Sequence, residues 1–169
     1  MWRMLVLVAM FVGAAMPSAA GLRYAEATAP TSLNPMLVTD MPSLRATELM
    51  YEGLVTPPIA GEVEPALAEK WEIAPDEKSV TFYLRRGVNW HDGRPVTSKD
   101  VLFTIMAGKD PRTATALGAQ FEAFDKIQTP NERTVVVNFK RKVLNPLLYF
   151  DFKILPAHRF PEGYVASES

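Results

Sequence analysis

Cysteine is absent from this sequence of 169 residues. The chain therefore has no disulfide, no thiolate metal site and no cysteine nucleophile. A lipid-anchored mature form is not expected either, since a lipoprotein needs a cysteine directly after its signal peptide. Histidine occurs only twice. His91 and His158 are far apart in the chain, so the sequence predicts no metal centre.

An excess of charge of one sign is also lacking. The chain has 18 Lys and Arg against 19 Asp and Glu, a formal net charge of -1. This balance gives no electrostatic argument for binding nucleic acid or an anionic membrane surface. With 48% hydrophobic and 22% charged residues, the composition is that of an ordinary globular protein with enough chain for a core.

The sequence contains none of the common catalytic motifs. There is no phosphate-binding loop, no dinucleotide fingerprint and no Gly-x-Ser-x-Gly element. His91 and Asp92 could form a general-base pair, but adjacent side chains in a turn do not face each other. We therefore expect a solvated turn there, no enzyme activity and no cofactor. A secreted hydrolase is the alternative that these absences disfavour.

The N-terminus has the pattern of a signal peptide. Arg3 gives a short positive segment, residues 5–15 are uninterruptedly apolar, and small residues at Ser18 and Ala20 have the spacing that signal peptidase reads. A membrane anchor is the alternative, but the apolar run is shorter than the roughly 20 residues needed to cross a bilayer. We expect residues 1–20 to be removed by cleavage near Ala20 and the mature protein to be periplasmic.

Hydrophobic periodicity predicts a mixed α/β chain. Strict alternation indicates strands at residues 79–85 and 133–140, and weaker alternation indicates another at 22–28. Helices are expected in five places: from residue 40 or 43 to 51, as one turn at 65–71, from 98 onward, weakly over 113–124, and at 145–149. The helix from 98 onward begins with a capping box formed by Thr97 and Asp100. Leu44, Thr47 and Tyr51 are expected to share one face of the first helix.

The loop at Thr39, Asp40 and Met41 lies just before the first of these helices. Free backbone N–H groups at a helix N-terminus can bind a ligand carboxylate. Four aromatic side chains could stack on a ligand: Tyr24, Tyr51, Trp71 and Trp90. Aromatic residues beside strands more often fill the core, however. On the residues alone, a ligand site at either place is a generic possibility.

Four stretches resemble one known family. They are Ser-Leu-Asn-Pro at 32–35 followed by Tyr-Glu-Gly-Leu at 51–54, the segment from Pro65 to Ile73, the segment from Thr81 to Thr97, and Leu-Pro-Ala-His at 155–158. In order and spacing they are similar to the family 5 extracellular solute-binding proteins, which serve importers of peptides, nickel complexes and some glycosides. The resemblance covers nearly the whole chain after residue 20.

The resemblance implies an α/β fold of the two-lobed periplasmic-binding-protein type that closes around a solute by a hinge. The implied function is the substrate-binding component of an ABC importer, with ABC permease subunits as partners and no nucleic acid. Residues 21–39 would begin the main lobe, 40–160 would form a small subdomain with its connections, and 161–169 a loose tail. Family members are much longer, so a truncated chain lacking the second lobe is expected.

The resemblance also implies a ligand-binding segment. In peptide-binding relatives the segment after Ser-Leu-Asn/Asp-Pro contacts the peptide backbone, and its match here is Thr39, Asp40 and Met41. Relatives often have Glu-Gly-Val there, so these bulkier residues need not make the same contacts. In a full-length version of the protein, we expect Asp40→Ala to alter ligand affinity without lowering the melting temperature. Peptide is the favoured solute, nickel chelate and glycoside remain open, and a stand-alone secreted interaction module is the alternative function.

Overall fold

The computed structural model describes residues 26–58, 61–113 and 115–160. The expected signal peptide at 1–20, the expected tail at 161–169 and Tyr24 lie outside the described residues. Most of the strand expected at 22–28 lies outside as well, and its last three residues, 26–28, form no strand.

A four-stranded antiparallel sheet forms the centre of the fold, in the order β3-β4-β6-β5. Its strands are β3 Ala68–Ile73, β4 Ser79–Leu84, β5 Phe124–Asn131 and β6 Thr134–Phe139. The alternation predicted for β4 and β6 is confirmed, because every second side chain of each strand is buried. The two central strands are therefore those with the cleanest period-two pattern in the sequence.

The remaining elements surround this sheet. A two-residue ladder joins β1 Val55–Thr56 to β2 Glu64–Pro65. The helices are α1 Met41–Met50, α2 Ser98–Lys109 and α3 Gly118–Glu122, and two short 3-10 helices follow at Pro146–Phe150 and Ala157–Arg159. Helix α2 packs against β5, β6 and α3.

One hydrophobic core runs through the described residues. It joins the buried faces of β4 and β6 to Val101 and Ile105 of α2. A phenylalanine cluster forms much of it: Phe82, Phe121, Phe124, Phe139, Phe150 and Phe152. Met36 and Leu155 belong to the same core, so residues on both sides of position 40 are packed together.

Two predicted elements were wrong. The helical turn expected at 65–71 is instead the end of β2 and the start of β3, because Pro65 pairs with Val55 and Trp71 pairs with Phe82 of β4. The weak helix expected over 113–124 is reduced to α3, and Phe124 already begins the unpredicted strand β5. Since β5 is an edge strand, it tolerates Pro130, which weakens a strand pattern in the sequence.

The extent of helix α1 was predicted correctly, but the face of the helix that is buried was not. Its buried residues are Ser43 and Thr47, whereas Leu44 is 41% exposed and Leu49 is 75% exposed. The predicted start of α2 is confirmed, with both halves of the capping box formed between Thr97 and Asp100. The short helix expected at 145–149 is present as the 3-10 helix Pro146–Phe150.

Candidate functional site

Asp40 lies at the N-terminus of α1 as its capping residue. Its Oδ1 accepts a hydrogen bond from the Ser43 backbone N–H at 2.8 Å, and its Oδ2 accepts one from Ser43 Oγ at 2.7 Å and another from Thr31 Oγ1. Ser43 Oγ in turn accepts hydrogen bonds from the backbone N–H groups of Thr31 and Ser32. The hydrogen bond from Thr31, followed by those from Ser43, lowers the pKa of Asp40 below its usual value.

This network changes what the helix N-terminus can bind. A carboxylate of the protein already occupies the position that a ligand carboxylate would take, and it satisfies one of the free N–H groups of α1. Thr39 and Met41, on either side of Asp40, are exposed. The predicted loop thus presents two side chains to solvent, while the third, Asp40, connects residues 31–32 to the helix.

The Asp of the capping box has a second partner in the C-terminal part of the chain. Asp100 is 4% exposed. Its Oδ2 accepts a hydrogen bond from the Thr97 backbone N–H at 2.8 Å, and its Oδ1 accepts one from the Ala157 backbone N–H at 2.9 Å. One turn further along α2, Thr104 Oγ1 accepts the backbone N–H of Leu155 at 2.9 Å. Two polar side chains of α2 therefore hold residues 155–157 in place.

This anchoring positions His158 against a turn that is distant in sequence. His158 Nε2 lies 2.7 Å from Asp92 Oδ2, and the two side chains are 18% and 36% exposed. The hydrogen bond from His158, which is the largest cause, and the Arg94 backbone N–H lower the pKa of Asp92. The 91–94 turn and the 3-10 helix Ala157–Arg159 are joined by this pair.

Two neighbouring hollows form what we call the Trp90 groove. They have volumes of about 300 Å³ and 340 Å³ and share four lining residues: Met50, Tyr51, Trp90 and His91. Glu52 lines only the first hollow, and Arg159 lines only the second. Trp90 Nε1 is buried and has no hydrogen-bond acceptor among the described residues. The groove combines an aromatic and thioether wall with charged groups, as small-molecule sites commonly do.

The structure brings together residues that the sequence suggested only separately. Tyr51 and Trp90, which the sequence marked as possible stacking residues, line one groove, whereas Trp71 is half-buried in β3. The His91–Asp92 pair that the sequence disfavoured does not form, since Asp92 pairs with His158. No local pattern could reveal that pair, because 66 residues separate its members.

Within residues 26–58, 61–113 and 115–160, no three carboxylate or imidazole side chains are grouped closely enough to bind a metal ion. In the same part of the chain, no helix has both the length and the hydrophobicity needed to cross a bilayer.

The fold, with its antiparallel sheet and the clamped 155–158 segment, is that of part of a periplasmic binding protein. The closely similar solved structure of NikZ from Campylobacter jejuni, in complex with Ni(L-His), matches 82% of this chain at a TM-score of 0.73 and 25% identity. The matched region is 28% of that protein.

The sequence assigns the family. Residues 62–165 match the bacterial extracellular solute-binding proteins, family 5, and the chain belongs to that family. The Escherichia coli dipeptide-binding protein is 36% identical over 75% of this chain, and the Haemophilus influenzae periplasmic oligopeptide-binding protein OppA is 39% identical over 50%. The matches cover 25% and 16% of these two relatives, so the chain spans a quarter of their length or less.

Proposed function

We propose that this chain acts as part of the substrate-binding component of an ABC importer, which captures a peptide in the periplasm and delivers it to permease subunits in the inner membrane. The observation that carries this proposal is the family match over residues 62–165, together with a fold shared with NikZ over 82% of the chain. Because the family consists of solute-binding proteins, we also propose that the chain catalyses no reaction.

Peptide is the proposed solute. The E. coli relative named for dipeptide binding matches over three quarters of this chain, and OppA is named for oligopeptides. NikZ, with the same fold, was solved with a nickel–histidine complex. The alternative solute is therefore a metal chelate, and identification of the bound molecule is the relevant test.

The proposed contact residues are Thr39, Asp40 and Met41. Thr39 and Met41 are exposed next to the capped end of α1. A polar and an apolar side chain at one surface suit the backbone and side chains of a peptide. We propose that Thr39, Asp40 and Met41 contact the solute and that Asp40 also fixes the loop that presents the other two. We further propose that residues 21–39 begin the main lobe and that 40–160 form a smaller subdomain with its connections.

Export is proposed from the N-terminal sequence. The charged start, the apolar run at 5–15 and the small residues before Gly21 favour cleavage near Ala20 and a periplasmic location. N-terminal sequencing of the protein from a periplasmic extract should begin at Gly21. Recovery of the uncleaved chain in the membrane fraction would instead support a membrane anchor.

Transport is tested in the host. Deletion of the coding sequence should abolish or slow growth on a peptide that supplies a required amino acid, while growth on the free amino acid is unchanged. Complementation with the unaltered sequence should restore growth, and a Thr39→Ala, Met41→Ala variant should restore it less well than a control variant at the exposed Arg141, Arg141→Gln.

The solute itself is identified by mass spectrometry of material retained by the protein purified from its host. Peptide masses are expected. A nickel chelate or a glycoside would contradict the peptide assignment but leave the importer function standing. Unchanged growth together with no retained solute would contradict both and favour a secreted interaction module.

A further inference from the structure

Each hollow of the Trp90 groove is lined by one exposed charged side chain that has no partner among the described residues. Glu52 in the first hollow is exposed, and its carboxylate makes no hydrogen bond or ion pair with any described residue; the same holds for the guanidinium of Arg159 in the second. By contrast, Glu48 is paired with Lys153 at 2.6 Å and Asp92 with His158. Among the described residues, one unpaired carboxylate therefore lines the first hollow and one unpaired guanidinium lines the second, and the two hollows share part of their lining.

That wall offers apolar surface between the two charges. Tyr51 and Trp90 are half-buried and Met50 is 40% exposed, and all three line both hollows. Leu67, Val88 and Val96 also line the first hollow. Aromatic and thioether groups at such a wall favour an apolar or aromatic side chain.

Trp90 adds an unused hydrogen-bond donor. Its Nε1 is buried without an acceptor among the described residues, and a buried donor without an acceptor is unfavourable. A ligand carbonyl that reached Nε1 would supply the acceptor. Among the described residues, Trp90 Nε1 has no hydrogen-bond acceptor, and neither Glu52 nor Arg159 has an ion-pair partner.

We propose that the Trp90 groove binds a short zwitterionic peptide, with its amino group toward Glu52, its carboxylate toward Arg159 and an apolar side chain on Met50 and Trp90. An extended tripeptide spans about 10 Å, a length suited to two adjoining hollows. All the lining residues lie in the described part of this chain. The groove is distinct from the proposed contacts at Thr39–Met41, because none of those three residues lines it.

The segment that carries Arg159 is held by two independent contacts. Asp100 of α2 accepts the Ala157 N–H, and His158 pairs with Asp92. Arg159 is thus placed by the fold, although its own side chain is free. Pre-positioning of this kind reduces the ordering cost of binding.

The test uses the full chain labelled with ¹⁵N, titrated with the tripeptide Ala-Phe-Ala and followed by the indole N–H signals. The sequence has three tryptophans, so Trp71→Phe and Trp90→Phe assign the signals. We expect the Trp90 indole signal to shift saturably with a millimolar dissociation constant, and the Trp71 signal to stay in place. Absence of a Trp90 shift up to tens of millimolar would overturn the proposal.

Capped peptides test the two charges separately. N-acetylation and C-amidation should each weaken binding about three- to tenfold, as expected for the loss of one charge-assisted contact. In Glu52→Gln, N-acetylation should no longer weaken binding, whereas C-amidation still should. In Arg159→Gln, C-amidation should no longer weaken binding, whereas N-acetylation still should. Control variants at exposed residues outside the groove, Glu132→Gln and Arg141→Gln, should leave both penalties intact.

The contrary outcomes are specific. If the acetylated peptide binds as tightly as the free one, the groove takes a simple carboxylate and the peptide assignment is wrong. If both penalties persist unchanged in Glu52→Gln and Arg159→Gln, the charges act elsewhere on the protein. Failure of this test leaves the importer proposal intact, since that proposal is tested by growth and by retained solute.

Discussion

The carboxylate of Asp40 has two structural tasks. It caps α1 through Ser43 and connects the helix to the preceding loop through Thr31. The sequence predicted a capping position at Asp40 or Ser43, and the structure uses both residues in one network. The expectation that Asp40→Ala would leave stability unchanged does not fit this geometry, because the substitution removes three intramolecular hydrogen bonds.

We now expect Asp40→Ala to lower the melting temperature measurably, since the cap of α1 and the Thr31 contact are lost together. Asp40→Asn is the matched control, because the amide oxygen can still accept the Ser43 N–H. Circular dichroism melts of the three proteins make the comparison. Equal melting temperatures for the Ala variant and the unaltered chain would contradict the structural role of this carboxylate.

Asp110 provides a pH-dependent contribution at the end of α2. Hydrogen bonds from the Arg112 side chain, and then from its backbone N–H, lower the pKa of Asp110 from 3.8 to about 2. In the unfolded chain the carboxyl regains its ordinary pKa, so the folded state is favoured above about pH 3.8 and loses this advantage as the pH falls toward 2.

Urea denaturation between pH 5 and pH 2 tests this contribution. The unaltered chain should lose stability more steeply below the ordinary aspartate pKa than Asp110→Asn, which has no such proton to take up. Asp125→Asn serves as the control, because the exposed Asp125 makes no hydrogen bond or ion pair with the described residues. Parallel pH profiles for the unaltered chain and Asp110→Asn would contradict the expectation.

At the scale of elements, the contact of α2 with α3 depends on a glycine in α2, which has no side chain. A Cβ at Gly108 of α2 would lie 2.3 Å from two ring carbons of Phe121 in α3. Phe121 is fully buried and packs against Phe124 and Phe152 at centroid distances of 6.2 and 4.8 Å. Because those rings fix its position, Phe121 has no room to move aside.

Gly108→Ala should therefore destabilise the chain, by about 1–3 kcal/mol for overpacking, although alanine is the better helix former by up to about 1 kcal/mol. Gly118→Ala is the matched control: it is helical and a Cβ there would meet nothing within 4 Å. We expect it to be neutral or slightly stabilising. Urea midpoints measure both, and a stabilised Gly108→Ala would show that α3 is not held against α2.

Prediction of elements succeeded where the local pattern and the tertiary environment agreed. Strands β4 and β6 have one buried and one outward face, so their alternation was visible in the sequence. Strand β3 is an edge strand with mostly exposed residues, and the apolar residues 66 and 67 before it and 71 within it have a spacing that also suits a helix. Pairing with β4 decided the strand, and no local signal could have done so.

The phenylalanine cluster unites the whole molecule. Phe150 lies 4.5 Å from Phe82 and 5.2 Å from Phe124, measured between ring centroids. Its neighbours come from β4, β5 and β6, so one ring from a 3-10 helix contacts three strands. Unfolding of any part of the sheet would expose this cluster, and we expect a single cooperative transition for the described region.

Phe150→Ala should cost about 3–5 kcal/mol, a large part of the roughly 5–15 kcal/mol typical of a domain. Leu144→Ala is the control, because Leu144 is 81% exposed and should be nearly neutral. Urea unfolding followed by near- and far-ultraviolet circular dichroism measures both variants. Separate transitions at the two wavelengths would show that the cluster is not the common core.

The sequence alone determined the family, the two central strands, the capped starts of α1 and α2 and the absence of cysteine chemistry. These features depend on neighbouring residues or on motif order, both of which can be read along the chain. Tertiary structure alone decided the β3 and β5 pairing, the inward turn of Ser43 and Thr47, the His158–Asp92 pair and the Trp90 groove. Those depend on contacts between segments far apart in sequence, and such contacts exist only once the core has brought the segments together.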